Sequence, residues 1–153
     1  MKLSKNFTLS ELTFSPTAVQ SGIYNEPNAQ QIECLKKLVV NILQPLRDYF
    51  DRPVVITSGF RSAPLNRAIG GALTSQHQHG MAADIRIIGF GNDLVWQYIH
   101  DNLRFDQLIL EHTPANNPHQ GWVHVSYDEP QRGEALSCIA PGVYVKGLAY
   151  ADK

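Results

Sequence analysis

The sequence predicts an α+β fold, with helices packed on a small, mostly antiparallel sheet, and three observations carry that prediction. Between Ile32 and Phe50 apolar residues recur at spacings of three and four, the period of a helix that buries one stripe. From Val54 onward the chain changes to short β-branched or alternating runs, at 54–57, 82–88, 105–111 and 122–126, which read as strands. The last two of these are separated only by a polar loop, which suits an antiparallel pair. A length of 153 residues fills one domain and is short for two, so a single domain over 1–153 is expected.

Composition narrows the function classes. With 43% hydrophobic and 18% charged residues and a net charge of -1, the chain resembles an ordinary soluble globule and has no electrostatic bias towards nucleic acid or an anionic membrane. Lys2 and Lys5 are not followed by an apolar stretch, so synthesis in the cytoplasm without a signal peptide is expected. No segment has the length of a membrane span. Cys34 and Cys138 are too few for a disulfide framework and read as two buried thiols. A monomer is expected.

The N-terminal third reads as helices. Thr8 and Glu11 have capping-box spacing, Ser15-Pro16 reads as an N-cap followed by the first helical residue, and Gly22 suits the end of that short helix. The long stripe begins near Asn28 and runs through Ile32, Leu35, Leu38, Val39, Ile42, Leu43, Leu46, Tyr49 and Phe50, with Lys36, Lys37, Arg47 and Asp48 on the solvated face. Pro45 lacks the amide hydrogen that would bond to Asn41, so a kink or break is expected there. This region reads as packing, not as a binding surface.

Val54–Thr57 leads into Ser58-Gly59-Phe60-Arg61-Ser62, so Arg61 projects from the C-terminal end of a strand. There its guanidinium has two roles open to it: gripping a carboxylate by two parallel hydrogen bonds, or capping a loop and pairing with an aspartate. A short helix is expected over 63–69. Gly70-Gly71 follows without the Lys and the helix start of a phosphate-binding loop, which removes that reading.

The stretch Ser75-Gln-His-Gln-His-Gly-Met-Ala-Ala-Asp84 is a loop feeding a strand. Side-chain alternation puts Asp84 on one face with Ala82 and Arg86, while Ala83, Ile85 and Ile87 point into the core. His77 lies at the lip of the turn. Downstream, Trp122, His124 and Ser126 share a face, with Val123 and Val125 opposite. Two histidines and one aspartate, His77, Asp84 and His124, would leave tetrahedral zinc one open position for water, as in catalytic sites. A helix is expected from Asn92-Asp93, with Leu94, Val95, Tyr98 and Ile99 inward. The loop 112–121 is long for a hairpin, and long loops in compact domains are often functional. After Asp128, an edge strand around 134–139, a turn at Pro141-Gly142 and a last β-like piece at 143–145 are expected.

The motif Ser-x-His-x-x-Gly-x-Ala-x-Asp, followed about forty residues later by Trp-x-His-x-Ser, resembles the zinc D-Ala-D-Ala carboxypeptidase and L-alanyl-D-glutamate endopeptidase family, whose fold is shared by the hedgehog signalling domain. The resemblance spans roughly 54–126. It implies a hedgehog/DD-peptidase-like fold, a Zn2+ cofactor on His77, Asp84 and His124, and a substrate carboxylate held by Arg61, with Ser75 as a further substrate-binding candidate. It also implies peptidoglycan stem peptides as substrate, cleaved at D-Ala-D-Ala or at L-Ala-D-Glu. Many bacterial members carry an acid three positions before the last histidine, where this chain has Gly121. Hedgehog-like relatives place a glutamate at the end of the preceding strand, the position of Glu111. Glu111, the only acidic residue between Asp106 and Asp128, is therefore the candidate general base, and His119 a candidate for oxyanion stabilisation or proton shuttling. His79, His100 and His112 read as surface or loop residues. With no signal peptide expected, a phage endolysin-like enzyme that reaches the cell wall after release fits better than a periplasmic housekeeping carboxypeptidase. The alternatives from other classes are a non-catalytic zinc-containing binding or structural module of the same fold, and a metal-free domain in which His77 and Asp84 merely hydrogen-bond.

Overall fold

A computed structural model describes residues 1–152. Helices α1 (Leu9–Thr13), α2 (Pro16–Ser21), α3 (Ala29–Leu38) and α4 (Gln44–Phe50) precede strand β1 (Val54–Ser58). Helix α5 (Ala63–Ala68), a 3-10 turn (Gln76–His79), β2 (Ala82–Ile87), α6 (Asn92–Asn102), β3 (Gln107–Glu111), β4 (Trp122–Ser126), β5 (Glu134–Ala140) and β6 (Val143–Lys146) complete the chain. The six strands lie in the order β1-β2-β4-β3-β5-β6. Every neighbouring pair is antiparallel except β3 with β5. The fold is α+β, as the sequence predicts.

The early helices carry the caps that the sequence spells. Thr8 and Glu11 form a reciprocal capping box, the Ser15 side chain caps α2, and Gly22 ends it in the left-handed conformation. Pro45 produces no break. A wide π turn over Val39–Leu43 comes just before it, and the Gln44 amide bonds back to the Val39 carbonyl. Pro45 then sits at the second position of α4, where no amide hydrogen is required. The apolar stripe continues through the wide turn, and Leu35, Leu38, Val39, Ile42, Leu43 and Leu46 are fully buried.

These helices cover one face of the sheet. Ala83, Ile85 and Ile87 of β2, Leu108 and Leu110 of β3, and Val123 and Val125 of β4 join the helical residues in one core cluster. The other face is thereby left for the cleft.

Three expectations are corrected. Leu94 is 58% exposed and Trp96 takes the buried position instead, its indole nitrogen donating to the Leu136 carbonyl at 3.1 Å. Helix α6 is rotated so that Val95, Trp96 and Ile99 face the sheet, and an i, i+3, i+4 set fixes the stripe better than any single leucine. Cys34 is only half-buried, whereas Cys138 is buried. The segment 134–140 is not an edge: β5 pairs in parallel with β3, and β6 takes the outside position.

Candidate metal centre and cleft

Cross-strand register assembles the site on the face opposite the core. Asp84 of β2 stands opposite Ser58 of β1 and His124 of β4, and His124 stands opposite Ile109 of β3. Directly opposite residues share a face. Two residues along the strands a second row on the same face runs Trp122, Glu111, Cys138, Tyr144 across β4, β3, β5 and β6. Both rows open into a cleft of about 830 Å3 lined by Arg61, Ser75, His77, Asp84, Glu111, Trp122, His124 and Tyr144 among others.

His77 comes from outside the sheet. The 3-10 turn that carries it is capped at its start by the Ser75 side chain, which accepts from the His77 amide at 3.3 Å, and ends at Gly80 with φ of 74°. Gly80 presses on the Gln31 carbonyl of α3, so a side chain there would meet backbone. The Gln31 side chain donates to the Gln78 carbonyl at 3.1 Å and ties the turn down.

The three predicted donors meet. His124 Nδ1 lies 3.0 Å and His77 Nε2 3.4 Å from Asp84 Oδ1, and one donor atom from each residue falls within 4.8 Å of the others. Bonds of about 2.0–2.2 Å at tetrahedral angles place ligand atoms roughly 3.3–3.6 Å apart, so the donor set fits a divalent ion such as zinc. The second nitrogen of His77 is also accounted for. Nδ1 is 2.8 Å from the Gly59 carbonyl; with an ion bound, a proton kept there would leave Nε2 as the ligand, the outer contact that orients metal-bound histidines. Burial alone would raise the Asp84 pKa, but hydrogen bonds from His124 and His77 hold its carboxyl far below the usual carboxylate range. It is an anion ready for a cation.

Arg61 takes the second of the roles that its sequence leaves open, pairing with an aspartate and tying down its loop. Its Nη2 pairs with Asp84 Oδ2 at 3.5 Å, while Nε and Nη1 donate to Ser58 Oγ at 3.0 Å and Asn66 Oδ1 at 3.2 Å. The guanidinium is thus held from three sides at the cleft wall. Burial lowers its pKa and Asp84 partly offsets that. Ser75 lines the same cleft, with its hydroxyl engaged in the cap.

Glu111 closes β3 beside this corner. Burial pushes its carboxyl above the ordinary value; His124 opposes the shift and the Asp84 charge adds to it. Gly121, with φ of 81°, explains why no acid occupies the bacterial position: a Cβ there would overlap the Glu111 carbonyl oxygen. His119 is not brought to the cleft. It is exposed and lines a separate depression with Arg86, Phe90 and Asn92, because the loop 112–121 folds towards α6, where Asn92 donates its amide to the Pro118 carbonyl at 2.7 Å.

Several residues in or behind the cleft wall escape a reading of the sequence. Asp106 is 2% exposed and accepts from Gln76 at 2.8 Å and from the Arg132 guanidinium at 2.9 and 3.0 Å. Ser58 and Asn66 hold Arg61, and Cys138 and Tyr144 extend the Glu111 row. Only Ser58 had a signal, its place in the same Ser-Gly-Phe-Arg run. The others depend on β5, β6 and loop contacts distant in sequence.

His79 and His100 lie on the surface, the latter stacked on Trp96 with ring centroids 5.1 Å apart. His112 does not remain a plain loop residue, since its Nε2 is 3.8 Å from Cys138 Sγ.

Two comparisons with known proteins bear on the family of the chain. A zinc D-Ala-D-Ala carboxypeptidase from Streptomyces albus G is 32% identical over 88 residues, which cover 58% of this chain and 33% of that relative. The chain thus spans about a third of the length of the curated relative it matches. The peptidase M15 family matches residues 5–126, a range that holds Arg61, His77, Asp84, Glu111 and His124. The chain belongs to the peptidase M15 family.

Proposed function

We propose that this protein is a zinc metallopeptidase that hydrolyses peptide bonds in the stem peptides of bacterial peptidoglycan. One observation carries the reading: two imidazole nitrogens and one carboxylate oxygen converge at the wall of an open cleft, with a buried glutamate and a fixed arginine beside them. The relative from Streptomyces albus G supports the substrate class. Zinc, when bound by His77, Asp84 and His124, supplies Lewis acidity and brings the pKa of bound water down towards about 7.

The protein's own residues do the rest. Glu111 accepts a proton from the attacking water through a carboxylate oxygen and delivers it to the leaving amine, a role suited to a carboxyl whose pKa is raised towards the working pH. Arg61, already fixed by Ser58 and Asn66, turns its charge to a substrate carboxylate. Trp122 walls the cleft beside His124. Lysis or remodelling of the wall, as by an endolysin acting after release from the cytoplasm, is the role we favour.

Incubation with purified sacculi, with and without chelator, tests the reading. Metal-dependent release of fragments is expected, and their masses distinguish removal of a terminal D-Ala from cleavage at L-Ala-D-Glu. A protein that binds sacculi yet releases nothing at any metal level is instead a binding module of the same fold. Clearing of a cell suspension by added enzyme only after the membranes have been permeabilised would support the lytic role.

A further inference from the structure

We propose a second divalent-metal site, built from Glu111, His112 and Cys138, whose occupation switches the peptidase off. One donor atom from each of these residues lies within 4.8 Å of the others. His112 Nε2 is 3.9 Å from Glu111 Oε2 and 3.8 Å from Cys138 Sγ. Bonds of about 2.0 Å to nitrogen and oxygen and 2.3 Å to sulfur place tetrahedral ligand atoms roughly 3.3–3.6 Å apart, so the two separations from His112 need only a few tenths of an ångström of side-chain motion to fit an ion.

The backbone explains why three residues from two strands converge. Glu111 stands opposite Cys138 in the parallel β3–β5 register, so their side chains share a face. The next residue along a strand would point the other way. His112 does not, because it adopts a left-handed backbone with φ of 53°, uncommon outside glycine. Its amide donates to the Cys138 carbonyl at 3.0 Å, pinning the turn over β5. Strain of this kind gathers at functional positions, and here it returns the imidazole to the thiol and the carboxylate.

The donors define the ligand class. One thiolate, one imidazole and one carboxylate suit zinc, cobalt or cadmium and not magnesium or calcium. On binding, the Cys138 thiol gives its proton to solvent and a sulfur–metal bond forms; no electron transfer is involved. The same ion coordinates the Glu111 carboxylate and draws off its charge, which lowers its basicity and leaves it a poor acceptor for a proton from water. That inhibitory consequence rests on the role proposed for Glu111, whereas the binding itself does not.

Titration of the metal-free protein with Co2+ separates the two. Neither His77, Asp84 nor His124 offers sulfur, so a sulfur-to-cobalt charge-transfer band in the near ultraviolet reports the second site alone. Two equivalents of bound metal are expected by equilibrium dialysis, with the band growing as the second enters. His112→Ala and Cys138→Ser should each lose the band and the second equivalent while keeping the first. Absence of the band at saturating Co2+ would overturn the proposal, as would a band that survives in Cys138→Ser, where Cys34 is the remaining thiol. On sacculi, hydrolysis should fall at least about tenfold when Zn2+ exceeds one equivalent, and His112→Ala should resist that fall. Unchanged hydrolysis by the wild type under conditions where the band is present would overturn the switch. A protein with the band but no hydrolysis at any zinc level keeps the second site and loses the peptidase reading.

Discussion

Two clusters of three donors lie on the same face of one sheet, and their differences show how a site is made. His77, Asp84 and His124 offer two nitrogens and an oxygen, drawn from β2, β4 and a short turn packed on α3. Glu111, His112 and Cys138 offer an oxygen, a nitrogen and a sulfur, drawn from the end of β3 and from β5. In the first cluster the aspartate is held anionic by its histidine partners. In the second, burial pushes both the Glu111 carboxyl and the Cys138 thiol upward, towards their protonated forms. The first is therefore a standing attraction for a cation, whereas the second must release a proton before it can bind one.

The largest expected effect breaks the first cluster. In a Cys138→Ser background, which removes the second site, Asp84→Ala deletes the carboxylate shared by His77, His124 and Arg61, and bound zinc measured by elemental analysis should fall from one equivalent to near zero, with hydrolysis lost alongside. Zinc retained at one equivalent would mean that the ion sits elsewhere. Glu111→Gln sharpens the division of labour between the clusters: zinc should stay bound while turnover falls roughly 10²–10⁴-fold, the range for loss of a positioned proton acceptor. A fall below tenfold would assign the proton transfer to another group.

Arg61→Lys tests the wall between cleft and metal. A lysine keeps the charge but cannot reproduce the planar fork held by Ser58 and Asn66, so kcat/KM should drop about 10- to 100-fold with zinc content unchanged. Equal rates on substrates with and without a free carboxylate would remove Arg61 from substrate binding.

The smallest effect is on stability. Burial would raise the Asp106 pKa, but the Arg132 and Gln76 hydrogen bonds outweigh it and lower the value in the folded state. Its stabilising contribution is thus fully present above the unfolded value, near about 3.9, and disappears as pH falls through the folded one. Asp106→Asn should cost about 1–3 kcal/mol at pH 7. By urea denaturation the gap to wild type should close as the pH is lowered below that range. A gap independent of pH would show that shape, not charge, anchors this end of the cleft.

Helix caps, the apolar stripe and the two-residue alternation of β2 and β4 were legible in the sequence because each is decided by neighbours a few positions away. Thr8 with Glu11, Ser15 with Pro16, and Asp84 facing away from Ala83 and Ile85 are of this kind. The rotation of α6, which turns Leu94 out and Trp96 in, was not legible, since several apolar residues competed for the same stripe. His119 was similarly misleading: five residues from His124 along the chain, it ends in a different depression because the long loop packs on α6.

The sequence by itself determined that a histidine, an aspartate and a second histidine would be presented at strand and turn positions, because period-two alternation and a glycine turn are local physics. Only the tertiary structure decided which strands are neighbours. The parallel pairing of β5 with β3 sets Cys138 beside Glu111, and the packing of α5 and the following loop sets Asn66 behind Arg61. Such pairings depend on closing long loops and burying surfaces contributed by distant segments, and no window of neighbouring residues carries that information.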